Sequence, residues 1–302
     1  MTPRLRTSPH RDAQAAAQLL DDATDQIRAS PAIDHWRPQL AREDAEELLA
    51  IAVRRDDIND IDVDLRLTPA AGRRFADAVR RRVSGEPVAL IRGHVVFAGL
   101  ELAVQPGVFI PRGSSELLSE SGVAALRRQR RPIAVDLACG AGPVACAMAS
   151  ALPRAEVWGL DVAPDAVALA RRNARRNHLA NVRFRVSNLL DELPTELLGR
   201  ISVVTIHPPY VGSSEVRSLP REIRRFEPRH TLSDGSRDGL DLVRALAAAA
   251  PQFLTRGGHV IVEIAPYLSR TVQAILRRAA YEVRWTSDSD GVTRVVIGRH
   301  AG

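Results

Sequence analysis

The sequence predicts an α/β fold, a doubly wound and mostly parallel sheet behind a smaller helical segment, and three observations carry the prediction. From Arg131 onward, apolar runs of strand length alternate with stretches of helical period. The first of these strands opens into a loop of small residues, Asp136-Leu137-Ala138-Cys139-Gly140-Ala141-Gly142-Pro143. Residues from about Asp12 to Ser84 show helical spacing alone and contain no Gly-rich loop.

In the helical segment, apolar positions recur as Ala16-Leu19-Leu20, Ala45-Leu48-Leu49-Ala52 and Phe75-Val79-Val83. Thr68-Pro69 opens the last of these, with Pro at the first helical position. The period then changes. Val95 to Val104 reads as two strands about Gly99, followed by Phe109-Ile110-Pro111-Arg112 and a helix from about Ser115. Beyond Arg131 the pattern predicts strands over 133–137, 156–160, 182–186, 201–206 and 259–264. Helices are expected over 143–151, 164–177, 240–250 and 268–279, and an antiparallel hairpin over 281–287 and 292–298 about Asp290-Gly291. The expected division is a helical substrate-recognition domain (1–86), a β-hairpin linker (87–112) and the α/β domain (113–302).

A chain of 302 residues, 45% hydrophobic and 26% charged, has ample sequence for a core. The net charge of +6 suggests a nucleic-acid surface at first sight, but every basic residue beside His is Arg and none is Lys. That bias, with heavy Ala use, reflects codon composition better than a binding face, and Arg171, Arg172, Arg175 and Arg176 read as one solvated helix face. Nucleic acid is a possible partner but not the favoured one. Cys139 and Cys146 lack the spacing of a zinc or redox motif, so both are expected to pack and no metal is expected. The N-terminal MTPRLRTSPHR has no signal-peptide core, and no window approaches the roughly 18 apolar residues of a membrane span. A cytoplasmic protein with no membrane partner is expected.

A Gly-rich strand-to-helix turn brings backbone close to a ligand, and Asp161, ending the next strand, can accept bonds from ribose hydroxyls. Dinucleotide dehydrogenases share that logic, but here the loop is D-x-x-C-G-x-G rather than G-x-G-x-x-G. Asp136 would repel a pyrophosphate and suits a cationic amino-acid end. An adenosine with a positively charged tail points to S-adenosylmethionine. Asn188 is either a turn residue or an acceptor for the adenine amino group.

The strand Ile201–Ile206 ends in His207-Pro208-Pro209-Tyr210. Together with the loop and Asp161, this ending resembles the release-factor glutamine methyltransferases, the HemK/PrmC family of protein N5-glutamine methyltransferases. GEPVALIRGHVVFAGLELAVQPGVFIPR (85–112) resembles that family's linker, and RFEPRHTLSDGSRDGLDLVRAL (225–246) the stretch after its catalytic motif. LTRGGHVIVEI (254–264) is similar to its next strand, and the likeness covers nearly the whole chain. It is nearest a divergent branch, with HPPY in place of NPPY.

The resemblance implies a class I S-adenosylmethionine-dependent methyltransferase, a Rossmann-like seven-stranded sheet with a helical N-terminal domain and hairpin linker. Asp136, Gly140 and Gly142 would line the methionine end of the cofactor and Asp161 its ribose, with Ala138 and Cys139 also in the cofactor set. Val162, Asn188, Leu189, Arg112 and His207 complete the expected cofactor set. Arg112 and Glu116 match a P-R-x-x-T-E segment only in part. His207, Pro208, Pro209 and Tyr210 are the expected catalytic residues; a strand that ends in Pro-Pro releases its carbonyls from sheet pairing there, and Tyr210 can wall the acceptor.

His207 stands where the family has Asn, whose side-chain oxygen accepts one amide N–H while the first Pro carbonyl accepts the other. This is catalysis by positioning. Imidazole can imitate the single acceptor, serve as a base for an amine, phenol or heteroaromatic nitrogen, or only pack. The acceptor is therefore a protein glutamine or a small molecule methylated on nitrogen or oxygen, and less favourably a nucleic-acid amino group. A cofactor-binding module without catalysis, or a dehydrogenase, is the reading from a different class.

Overall fold

The computed structural model describes residues 16–34, 39–55 and 66–302. The basic N-terminus and the first turn of the helical pattern, at Asp12, lie outside the described residues. Along the chain come α1 (Ala16–Arg28), α2 (Leu40–Val53), α3 (Pro69–Val83), α4 (Val88–Arg92), β1 (His94–Phe97), β2 (Leu100–Ala103) and α5 (Glu116–Leu126). The alternating part runs β3 (Ile133–Leu137), α6 (Pro143–Ala151), β4 (Glu156–Asp161), α7 (Pro164–Arg176), β5 (Val182–Val186) and β6 (Ile201–Ile206). Then follow α8 (Arg221–Phe226), α9 (Arg229–Leu232), α10 (Asp241–Ala249), β7 (Leu254–Glu263), α11 (Ser269–Arg278), β8 (Tyr281–Ser287) and β9 (Thr293–His300). No helix among the described residues is long and apolar enough to cross a membrane.

These elements form two compact units, one holding the residues up to Arg92 with Pro220–Phe226, the other Gly93–Leu219 with Glu227–Gly302. The division thus falls at Arg92–Gly93, and Val88–Arg92 is a helix of the small unit rather than the start of a linker. Pro87 fixes the first turn of α4 by accepting from Leu90 and Ile91, and Gly93 ends it at φ +85°.

The small unit packs Leu20, Ile27, Leu48, Leu49, Phe75 and Val79 into one core. Thr68 caps α3 by accepting from the Ala71 N–H at 3.2 Å. Helix α8 has no buried residue of its own and is held by charge. Glu222 lies 2.7 Å from the buried Arg82 of α3, which also reaches Asp44 of α2 at 2.6 Å. Arg221 and Arg225 donate to the carbonyls of Pro31 and Ser84.

In the larger unit, seven strands among the described residues form one sheet in the order β5-β4-β3-β6-β7-β9-β8. The first five are parallel, and β9 runs antiparallel to both neighbours. The predicted α/β fold is the one that forms. β7 is longer than predicted because Leu254 already pairs with Ile201, ahead of a register shift. One face of the sheet packs on α5, α6 and α7 through Leu118, Cys146, Met148 and Ala170. The other packs on α10 and α11 through Leu246, Val272 and Leu276.

The β1–β2 hairpin belongs with the first face. Buried Asn173 of α7 accepts from the Ala103 N–H at 2.8 Å and donates to the carbonyls of Ala103 and Ala141. One side chain thereby ties the hairpin to the Gly-rich loop. Strand order reverses between β3 and β6, so both sequence motifs emerge at the switch point, where open α/β sheets bind ligands.

Candidate active site

A cleft of about 1060 Å³, counted to its open mouth, lies outside the carboxyl ends of β3, β4 and β6. Of the expected cofactor residues it gathers Arg112, Asp136, Ala138, Cys139, Gly140, Asp161, Val162, Asn188, Leu189 and His207, with Pro208 and Pro209 beside them. Gly142 and Tyr210 do not line it.

The register explains the loop. Leu137 pairs with Leu160, so Ala138 leaves the sheet beside Asp161. The Asp161 carboxylate accepts from the Gly140 N–H at 2.8 Å and the Ala163 N–H at 2.9 Å, fixing the loop across the crevice. Gly140, at φ +53°, has open space where a side chain would project, which suits close approach of a ligand. Gly142 has a different task. It caps α6 at φ +82°, and a Cβ there would meet Ala170 and Phe184 at 3.0 and 3.1 Å. The second glycine serves packing, which the loop pattern alone does not distinguish.

Asp136 is almost fully buried and pairs in register with Thr205, whose hydroxyl donates to it at 2.8 Å. Burial pushes its carboxyl up to about 7, against the pull of Thr205 and the Ala145 N–H, with Asp161 and Glu263 adding to the rise. A buried acid so poised gains from a cationic partner. Burial also pushes up the Cys139 thiol, and Cys146 to about 12, so neither is a thiolate. Asn188 is exposed and donates to Asp191 at 3.2 Å, while Leu189 sits at φ +47° in the left-handed region. Arg112 lies 5.1 Å over the Phe109 ring and pairs with buried Glu227, which neutralises its charge inside the cleft wall. Glu116 accepts from the Ala98 N–H of the hairpin turn instead of facing the cleft.

At the other end, β6 pairs Ile206 with Val262 of β7, so His207 and Glu263 emerge side by side. The Glu263 Oε2 lies 3.3 Å from His207 Nδ1, an ion-pair distance without hydrogen-bond alignment, and Ser115 Oγ is 3.2 Å from the same nitrogen. Ser114 donates to Glu263 Oε1 at 3.0 Å. Phe109 meets the imidazole edge-on at 5.5 Å and Tyr210 stacks on it at 5.6 Å. Tyr210 therefore braces the His207 ring and is not among the residues that line the cleft. Burial lowers the His207 pKa, Glu263 opposes the shift and Arg112 adds to it, so the ring is neutral near pH 7.

Only one of the two Pro carbonyls is released. Pro209 accepts from the Asp234 N–H at 3.0 Å, part of a return segment that also joins Val211 to Leu232 and Tyr210 to Ser233. Gly239 lets that segment close, since a Cβ there would lie 2.1 Å from the Tyr210 carbonyl oxygen. The Pro208 carbonyl and His207 Nε2 accept no hydrogen bond from any described residue. A free carbonyl and an unbonded ring nitrogen therefore stand at the edge of one cleft.

A family model described as "Methyltransferase domain" matches residues 133–223. The release factor glutamine methyltransferase of Geobacter sulfurreducens is 37% identical over 262 residues, 86% of this chain and 89% of that protein. The chain belongs to the release factor glutamine methyltransferase family. It is an S-adenosylmethionine-dependent methyltransferase. The 4-amino-L-phenylalanine/4-methylamino-L-phenylalanine methyltransferase of Streptomyces pristinaespiralis is 32% identical over 93% of this chain and 92% of its own. A 16S rRNA N2 G1207 methyltransferase from T. thermophilus, solved with AdoMet and guanosine, shares the fold. Its TM-score is 0.51 at 19% identity, over 68% of this chain and 49% of that one.

Within this family fold, the sequence reading missed Glu263, Phe109, Thr205 and Glu227. Glu263 carried a signal: it is the one charged residue ending an otherwise apolar run, Val260-Ile261-Val262, and it is buried. Its meaning needed the β6–β7 register.

Proposed function

We propose that the chain holds S-adenosylmethionine at the Asp136–Asp161 end of the cleft and methylates an –NH₂ nitrogen seated between the Pro208 carbonyl and His207 Nε2. The observation that carries this reading is the pair of unbonded acceptors, one for each N–H of the incoming group. The residues fit the cofactor. Buried Asp136 suits an ammonium, Asp161 keeps lone pairs for ribose hydroxyls beyond its two backbone bonds, and exposed Val162 offers an apolar face to a base. When bound, S-adenosylmethionine supplies a sulfonium methyl, whose carbon leaves sulfur as it bonds to the acceptor nitrogen. Pro208 and His207 orient the nitrogen lone pair, and His207 Nε2 takes the N–H proton that the new bond makes acidic, passing it to solvent.

Similarity to release factor enzymes makes a protein glutamine carboxamide the first acceptor. A second reading, a small amine, rests on His207 itself: a neutral imidazole backed by a buried carboxylate takes a proton, which the Asn of N-P-P-Y cannot. Incubation with S-adenosylmethionine and either release factor or 4-amino-L-phenylalanine, read by mass spectrometry, tests both. Methyl on nitrogen of either acceptor is expected. Methylation confined to hydroxyl acceptors overturns the proposal.

A further inference from the structure

We infer that Glu263 is a positioning residue that fixes the His207 tautomer, holding the proton on Nδ1 so that Nε2 presents a bare lone pair to the cleft. The inference rests on the reading above that Nε2 faces the acceptor nitrogen.

Glu263 is 3% exposed, at the end of a strand buried on both faces. A buried carboxylate needs proton donors on both oxygens. Ser114 serves Oε1 at 3.0 Å. Oε2 is closed to solvent and has no hydrogen bond of its own, and His207 Nδ1 stands 3.3 Å away. The donor offered to Oε2 is an N–H on Nδ1, which a small turn of the ring would align; Ser115 Oγ, 3.2 Å from the same nitrogen, can accept from that N–H, and a neutral ring with Nδ1–H carries no proton on Nε2. The arrangement is built into the sheet, because the register that pairs Ile206 with Val262 sets the two residues adjacent. Phe109 edge-on and Tyr210 stacked fix the ring plane, leaving the tautomer as the remaining freedom. The same carboxylate stabilises the imidazolium formed when Nε2 accepts a proton, the role of the acid in a Ser-His-Asp triad.

Chain labelled with ¹⁵N-histidine shows the tautomer directly at pH 8, with His207 assigned by its absence in His207→Asn. The expected wild-type spectrum is Nδ1–H with bare Nε2. In Glu263→Gln the carboxamide can donate to Nδ1, so the Nε2–H form is expected to grow. Methyl transfer falls at least about 10²-fold while cofactor Kd stays within about twofold. In a His207→Asn background the same Glu263→Gln change is expected to cost nothing further, since Glu263 acts through the imidazole. An Nε2–H wild type overturns the inference, as does an unchanged tautomer in Glu263→Gln, or an equal loss in the His207→Asn background, which marks a merely structural role. The wild-type tautomer needs only a folded His207→Asn for assignment, and no acceptor. A wrong acceptor assignment therefore leaves this result standing, and an Nε2–H ring with confirmed N-methylation removes only the role given to Glu263.

Discussion

The two ends of the cleft are built on opposite plans. At the end proposed for the cofactor, Asp136, Gly140 and Asp161 come from one β-α-β run, and their polar groups are satisfied by each other's backbone or by the adjacent strand. At the acceptor end, His207 depends on Glu263 of β7, Ser114 and Ser115 ahead of α5, and Phe109 after the hairpin. Local assembly makes the first end a stable cradle, and distant assembly makes the second tunable without disturbing it. The sharpest way to break that separation is His207→Ala. Removing an acceptor and base is expected to lower kcat by roughly 10²- to 10⁴-fold, with cofactor affinity by calorimetry nearly unchanged. A matching loss of cofactor binding would show the two ends to be one unit.

Asn173 tests the structural side of the contrast. Its amide is fully buried and serves three backbone groups of Ala103 and Ala141, so Asn173→Ala leaves them without partners. The expected cost is at least about 3 kcal/mol in urea unfolding, from three groups at about 1–3 kcal/mol each. A loss below about 1 kcal/mol would mean that hairpin and loop are held by other bonds. Next in size, Asp161→Ala removes the carboxylate that accepts from Gly140 and Ala163. Cofactor Kd is expected to weaken about 10- to 100-fold, from charge-assisted bonds of about 1.5–3 kcal/mol. Binding at wild-type strength would remove Asp161 from the cradle.

The same contrast explains what could be read from the sequence. Strand and helix periods gave the fold because β3 and β6 are continuous apolar runs but for Asp136, Ser202 and Thr205, as parallel strands buried on both faces tend to be, while the edge strand β5 alternates. Asp136, Gly140 and Asp161 were legible because all three lie within one supersecondary unit, although the Thr205 partner of Asp136 comes from β6. Gly142 was grouped with the ligand set because both glycines occupy one loop, whereas a side chain there would run into Ala170 and Phe184. Tyr210 was placed at the acceptor because it follows the motif directly, yet its ring turns back onto His207. Glu263 stayed hidden because strand order, which no local pattern encodes, sets it beside His207, and Glu227 because its partner Arg112 lies far away along the chain.

The smallest predicted effect lies within the cofactor end and concerns charge. Burial raises Asp136 to about 7, so its carboxyl is mostly neutral at pH 6 and mostly charged at pH 8. If the charged form holds the cofactor ammonium, affinity rises with pH across this interval, by up to about tenfold, the change in ionised fraction for such a group. Stability moves the other way. The unfolded chain ionises Asp136 near 3.8, whereas the fold resists ionisation until about 7. The folded state therefore binds the extra proton between these values, and stability is lost as pH rises through them. Asp136→Asn keeps an acceptor for the Thr205 hydroxyl but cannot ionise. Its stability advantage over wild type is expected to widen from about pH 4 to about pH 7 and stay level above, while the pH limb of cofactor affinity vanishes. A limb that survives in Asp136→Asn would assign the titration to another group, and a stability difference independent of pH would show that Asp136 is ionised in the fold throughout. Opposite signs in the two measurements are what a site strained toward a cation requires, since the charge that weakens the empty fold is the one that the cofactor neutralises.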